Sequence, residues 1–152
     1  MADAPSLLVD GRHFTVAELA CHDGTPYPEA FADRLPELMA LLDAIRDVWG
    51  SPIQVVSGYR SPAHNAELMA LDETRGSHQV ASGSQHVEGR AADIRPAGNP
   101  GAVSMLHQAV MRLYNDGKLP QLGGIGLYVK SGWVHVDCYR APDGHLRRWL
   151  GV

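Results

Sequence analysis

The sequence predicts an α+β fold, with helices packed against a small, mainly antiparallel sheet. Three observations carry this expectation. Apolar residues recur at three- and four-residue steps through Leu35, Met39, Leu42, Ile45 and Val48, and again through Val103, Leu106, Val110 and Leu113, the spacing of a buried helix face. Short β-branched or alternating runs stand at Ile53–Ser57, Gly89–Ile94, Gly123–Val129 and Trp133–Cys138. The last two flank Lys130-Ser131-Gly132, a connection short enough to close a hairpin and make those strands antiparallel.

Each element has a local cause. Phe14 to Ala20 reads as a short helix, because Thr15 and Glu18 have the spacing of a capping box. His22 to Pro28 is turn-rich. The helical pattern from Glu29 to Trp49 holds Pro36 in the first turn of its main part and ends at Gly50. Ser61-Pro62 opens a helix through Leu71, with Ser61 as N-cap. Asp72 to Gly83 is polar and rich in Gly and Ser, which predicts a surface loop. Pro96 is expected to stop the strand that begins at Gly89, and Pro100 to Asn115 forms an amphipathic helix. Leu146 to Leu150 is a short apolar tail.

With 152 residues, of which 45% are apolar and 20% charged, the chain suits one domain spanning residues 1–152. The net charge of −4 and the lack of a basic run argue against a nucleic-acid or anionic-membrane partner. No apolar stretch has the length of a membrane span. Met1 to Asp10 lacks the pattern of a secretory signal, so the expectation is either synthesis in the cytoplasm or a signal that lies outside this sequence. Without an export signal, Cys21 and Cys138 read as two reduced thiols.

The chemistry concentrates in Ser84–Asp93 and Trp133–Asp137. Side chains alternate along a strand, so Val134 and Val136 face the core while His135 and Asp137 share the other face. Ala91 and Asp93 share a face in the same way, and Gly89 allows the backbone to turn between His86 and that strand. His86, Asp93 and His135 are therefore candidate ligands of one zinc ion, with a fourth position open for water. Two blander readings stand beside this one. His86 and Asp93 could share an exposed helix face, although Gly83 and Gly89 oppose a helix there. His135 and Asp137 could be a hydrogen-bonded pair.

Four ordered motifs add a resemblance. They are Ser57-Gly58-Tyr59-Arg60-Ser61-Pro62-Ala63-His64-Asn65, Ser84-x-His86-x-x-Gly89-x-Ala91-x-Asp93, Gly124-Ile125-Gly126-x-Tyr128 and Trp133-x-His135-x-Asp137. Together they resemble the zinc D-Ala-D-Ala carboxypeptidase family of metallopeptidases, closest to its short, phage-type branch. The resemblance implies the α+β fold shared with hedgehog signalling domains and small peptidoglycan peptidases. It implies hydrolysis of peptide bonds in bacterial cell-wall stems, as a carboxypeptidase, dipeptidase or endopeptidase. It makes His86, Asp93 and His135 the zinc ligands and Arg60 the arginine that assists the substrate or the developing oxyanion.

One departure bears on catalysis. Many members of that family place Glu or Asp three residues before the third ligand, as general base, and Gly132 stands there in this chain. Asp137 is the best substitute, with orientation of a ligand histidine as its alternative role. Glu88 reads as a solvated carboxylate near His86. His64 and His78 are candidates for stabilising a tetrahedral intermediate, His64 also for tying its helix to the loop. Ser84 reads as a local hydrogen-bonding residue. The implied partner is a peptidoglycan stem peptide, met at the bacterial wall by an endolysin-like enzyme or as part of a phage-like particle. The rival is a zinc module that binds wall material or serves structure without cutting. Bond specificity and oligomeric state are left open by the residues.

Overall fold

A computed structural model of the protein describes residues 6–75 and 84–151. Among these residues, three α-helices, α1 (Leu35–Trp49), α2 (Pro62–Arg75) and α3 (Val103–Asn115), accompany five strands: β1 (Ile53–Ser57), β2 (Ala91–Pro96), β3 (Gly124–Tyr128), β4 (Trp133–Asp137) and β5 (Arg147–Leu150). The strands form one sheet in the order β1-β2-β4-β3-β5. Among the described residues, only β3 and β5 pair in parallel. The expected α+β, mainly antiparallel architecture is the one observed.

Local signals explain most boundaries. The capping box forms as expected, with the Thr15 hydroxyl accepting from Glu18 N and the Glu18 carboxylate accepting from Thr15 N. The helix behind it is a 3₁₀ turn of four residues, Val16–Leu19. Gly50 ends α1 at φ 77°, a left-handed conformation that glycine adopts without strain. Ser61 caps α2 by accepting from His64 N at 3.1 Å and donates to Asp23 at 2.6 Å.

Four expectations need correction. The helix from Pro62 runs past Leu71 to Arg75, so the first part of the expected loop is helical, and Thr74 donates to the Ala70 carbonyl at 2.9 Å. The remainder, residues 76–83, lies outside the described residues, and His78 with it. β2 begins at Ala91 instead of Gly89, and Pro96 is its last residue instead of the first beyond it. Pro96 pairs with Ile53 of β1, whereas the β2–β4 ladder stops at Ile94, so no partner on that side misses its N–H. Val48 is 56% exposed, in the last turn of α1. The apolar tail is an edge strand, β5, whose alternate residues Arg147 and Trp149 are half-buried.

One sheet face carries the core. Ala92, Ile94, Ile125, Val134 and Val136 join Leu38, Leu42 and Ile45 of α1 and Leu106 and Val110 of α3 in a single buried cluster. Each fully buried leucine or isoleucine there contributes roughly 2 kcal/mol. The opposite face holds the polar residues, and register decides which of them meet. Asp93 lies directly across from His135, and Ala91 across from Asp137. Both positions belong to β2 and β4, inner strands braced on both sides. Cys21 and Cys138 are buried free thiols. Among the described residues, no helix is long and apolar enough to cross a membrane.

Candidate metal centre

His86, Asp93 and His135 converge as the only group of metal-ligand type found among the described residues, their donor atoms within 4.8 Å of one another. All three are buried. Asp93 Oδ2 is 3.3 Å from His86 Nε2, Asp93 Oδ1 is 3.1 Å from His135 Nδ1, and the two ring nitrogens are 3.2 Å apart. Donors arranged tetrahedrally around one zinc ion at about 2.1 Å stand about 3.4 Å apart. The cluster is thus close to the size that a small divalent ion demands.

The other nitrogen of each imidazole is tied down, which selects the ligand atom. His86 Nδ1 lies 2.8 Å from the Gly58 carbonyl, so it carries the proton and donates, leaving Nε2 as an acceptor. His135 Nε2 lies 2.8 Å from Asp137 Oδ2, leaving Nδ1 to face Asp93. Such carbonyl and carboxylate partners fix the tautomer and orientation of metal-binding histidines.

The electrostatics are those of a cation site. Burial alone would raise the Asp93 pKa, but the His86 and His135 imidazoles beside the carboxyl outweigh it and hold it well below the usual range. Burial alone would lower the His135 pKa, but Asp137 and Asp93 push it up to about 9. Without a metal, a proton on His135 serves as the cation between two carboxylates. A divalent ion competes with that proton for Nδ1, so binding releases it.

Gly58 shows how the backbone serves this arrangement. A Cβ there would lie 2.6 Å from Leu19 Cα, and the Tyr59 N–H donates to the Leu19 carbonyl at 2.8 Å. Both obstacles are main chain and have little room to yield. Gly58→Ala is expected to destabilise the protein by about 3 kcal/mol, at the upper end for overpacking, in urea unfolding followed by circular dichroism. A cost under about 0.5 kcal/mol, the range of an ordinary surface substitution, would contradict the close approach.

The other expected site residues are placed as follows. Arg60 follows β1, and its main-chain N–H donates to the His86 carbonyl at 3.0 Å. Its Nη1 donates to Asn65 at 3.2 Å, while its Nε is buried without a hydrogen-bond partner. Burial lowers the Arg60 pKa, and the charge of Asp93 acts against that. Asp137 is 0% exposed. Its Oδ2 meets His135, and its Oδ1 accepts from Tyr139 N at 3.0 Å and from Arg147 Nη2. It therefore sits on the Nε2 side of the His135 ring, away from the Nδ1 that faces Asp93. Gly132 adopts φ +85° in the hairpin turn, with nothing within 4 Å of where a Cβ would stand. Ser84 Oγ accepts from His86 N at 3.2 Å. Glu88 pairs with Arg34 at 3.2 Å, and His64 faces Glu67 at 3.6 Å, so neither joins the cluster.

Two residues beside the cluster escaped the sequence reading. Trp149 lies with its ring centroid 5.1 Å from that of His135 and donates to the Tyr128 hydroxyl at 2.7 Å. Arg147 holds Asp137. A signal was present: Gly124 and Gly126 sit on the site face of β3, in register with Asp137 and His135. A strand that keeps two glycines on its functional face leaves room for something to lie across them.

The chain is 35% identical over 100 residues to the probable peptidoglycan L,D-endopeptidase MepK of Haemophilus influenzae, covering 66% of this chain and 44% of the relative. It is 34% identical over 117 residues to the peptidoglycan L,D-endopeptidase MepK of Escherichia coli K12, covering 77% of this chain and 51% of the relative. The chain thus spans about half the length of these curated relatives. Among solved structures, the L-Ala D-Glu endopeptidase ChiX of Serratia marcescens matches 68% of this chain and 79% of its own, at 22% identity and a TM-score of 0.45. Residues 12–137, which include Arg60, the His86–Asp93–His135 cluster and Asp137, match the family described as Peptidase M15, and the chain belongs to that family.

Proposed function

We propose that the protein is a zinc-dependent peptidase that cuts the peptide stems of bacterial peptidoglycan, as an endopeptidase of the L,D type. One observation carries the reading: a buried His-Asp-His donor set in which the second nitrogen of each imidazole is already committed. Two imidazoles and one carboxylate suit zinc, and three protein donors leave a position for water or substrate. Zinc, when bound, polarises a carbonyl and brings the pKa of water close to neutrality.

The surrounding residues have distinct tasks. Arg60 presents a buried, unpartnered Nε–H next to the cluster, suited to a substrate carboxylate or a developing oxyanion. The Tyr128 hydroxyl accepts from Trp149, so its own proton is available to a substrate oxygen. Asp137 orients His135 through Nε2 and does not take the proton of the attacking water, since both of its oxygens are engaged and buried. The names of the relatives favour an L,D-endopeptidase over the D-Ala-D-Ala carboxypeptidase that the motifs suggested. Action at the bacterial wall follows from that substrate.

The rival reading, a metal module that binds wall material without cutting it, is favoured by one feature. Gly132 replaces the usual acid, and Asp137 is not free to replace it. Incubation of purified peptidoglycan with the protein, followed by mass spectrometry of the released fragments, separates the two. Cleavage between an L- and a D-residue, abolished by chelator, is expected. Arg60→Ala is expected to lower the rate by on the order of 10²-fold, as for loss of one oxyanion donor. Stoichiometric metal without any cleavage would establish the binding module instead.

A further inference from the structure

β5 lies beyond residues 12–137, the part of the chain that matches the family. Its register on β3 places Arg147 beside Gly124 and Trp149 beside Gly126. Across β3, the same two glycines pair with Asp137 and His135 of β4. Two rows therefore cross the sheet on the site face, one running Trp149–Gly126–His135 and the other Arg147–Gly124–Asp137.

The glycines make both rows possible. A Cβ on Gly126 would lie 2.4 Å from Trp149 Nε1, so the indole occupies the space that a side chain would fill. A Cβ on Gly124 would lie 2.5 Å from Asp137 Oδ2 and 2.6 Å from Arg147 Nη2. Strands next to but one in a sheet are about 10 Å apart, and their side chains normally meet only over small residues. Here the reach is completed on both rows. Trp149 comes within ring contact of His135, at 5.1 Å between centroids and tilted by 46°. Arg147 binds the Asp137 carboxylate and also donates to the Tyr139 carbonyl at 3.0 Å, which fixes its direction. Its guanidinium also lies 5.1 Å from the Tyr139 ring and 5.9 Å from the Trp149 ring.

We propose that Arg147 and Trp149 are positioning residues of the metal centre, acting on His135 across the glycine gaps of β3, so that the centre is incomplete without the C-terminal strand. This rests on the metal-site reading above. Arg147 holds Asp137, Asp137 holds His135 Nε2, and His135 thereby presents Nδ1 to the metal. Trp149 covers the imidazole and prevents it from turning out of that position. The covered ring also gains a drier surrounding, in which its bond to Asp137 is stronger.

The test measures zinc affinity of the whole chain by competition with a chromophoric chelator, with thermal unfolding of each metal-free variant alongside. Arg147→Met is expected to weaken zinc binding by roughly 10–100-fold, the usual cost of losing an outer partner of a ligand, and Arg147→Lys to restore part of it. In an Asp137→Asn background, Arg147→Met should change affinity by less than about twofold, because the route through Asp137 is already cut. Trp149→Ala should weaken binding, whereas Trp149→Phe, which keeps a ring over His135, should retain it. Should Arg147→Met fail to fold, the comparison of Arg147→Lys with wild type and the Trp149 pair decide. Wild-type affinity in Arg147→Met and Trp149→Ala, or an equal loss with and without Asp137, would overturn the inference. A wild-type chain that binds no stoichiometric metal would instead overturn the metallopeptidase reading, so the two failures are distinguishable.

Discussion

His86→Ala should abolish metal binding and, with it, cleavage of peptidoglycan by on the order of 10³-fold or more. Among the described residues these three are the donors of the cluster, and with His86 gone only Asp93 and His135 remain. The loss is also visible without substrate. Wild-type protein should melt higher with zinc than with chelator, because a ligand that binds only the folded state stabilises it by about 4 kcal/mol at a thousandfold excess over Kd. That increment should vanish in His86→Ala. The metal-free variant should lose only about 1 kcal/mol, since the Gly58 carbonyl loses one hydrogen bond while its fold is otherwise kept. A variant that retains one equivalent of metal and cleaves normally would remove His86 from the centre.

Asp137→Asn should weaken metal binding by roughly 10–100-fold. The three groups around this carboxylate are His135 Nε2, Tyr139 N and Arg147 Nη2, all of which donate when His135 presents Nδ1 to a metal. An asparagine offers one oxygen, so one side must set an NH₂ against a donor. Either His135 loses its orienting partner or Arg147 and Tyr139 lose theirs. The measurement that decides its role compares zinc affinity with kcat at saturating zinc. A positioning residue shows its loss mainly in affinity, with kcat recovering as the metal is restored. Unchanged affinity with a large fall in kcat would make Asp137 the general base.

The same pair of experiments bears on why a glycine occupies position 132. In the hairpin before β4, φ of +85° suits glycine and strains most other residues, so the turn that brings β3 and β4 into register is built from the residue that forgoes an acid. On the proposed hydrolytic reading, the acid expected at that place is not there to take the water proton. Among the described residues, the Tyr128 hydroxyl and the Arg60 Nε–H are the polar groups to which the proposal gives a substrate.

Much of the centre was legible in the residues themselves. Alternation along Trp133–Asp137 separates the core valines from His135 and Asp137 without any knowledge of neighbours, because strand geometry has a period of two. The capping box at Thr15, the N-cap at Ser61 and the stop at Gly50 are likewise local, since each depends on hydrogen bonds or torsions within a few residues. His86, Asp93 and His135 stand out by type and spacing together with the Arg60 motif.

What only the tertiary structure decided depends on pairings between distant segments. Which nitrogen of each histidine is free follows from the Gly58 carbonyl and from Asp137, and no spacing along the chain encodes the first of these contacts. Asp137 read equally as base or as orienting residue, and its three hydrogen-bond partners are visible only in the fold. Arg147 and Trp149 lay in what read as an apolar tail, because their role arises from parallel pairing of β5 with β3 and from the glycine gaps they cross. A sequence thus determines which side chains share a face of a strand, since that is set by local torsions. Which of them touch across the sheet is set by register, a property of the assembled fold.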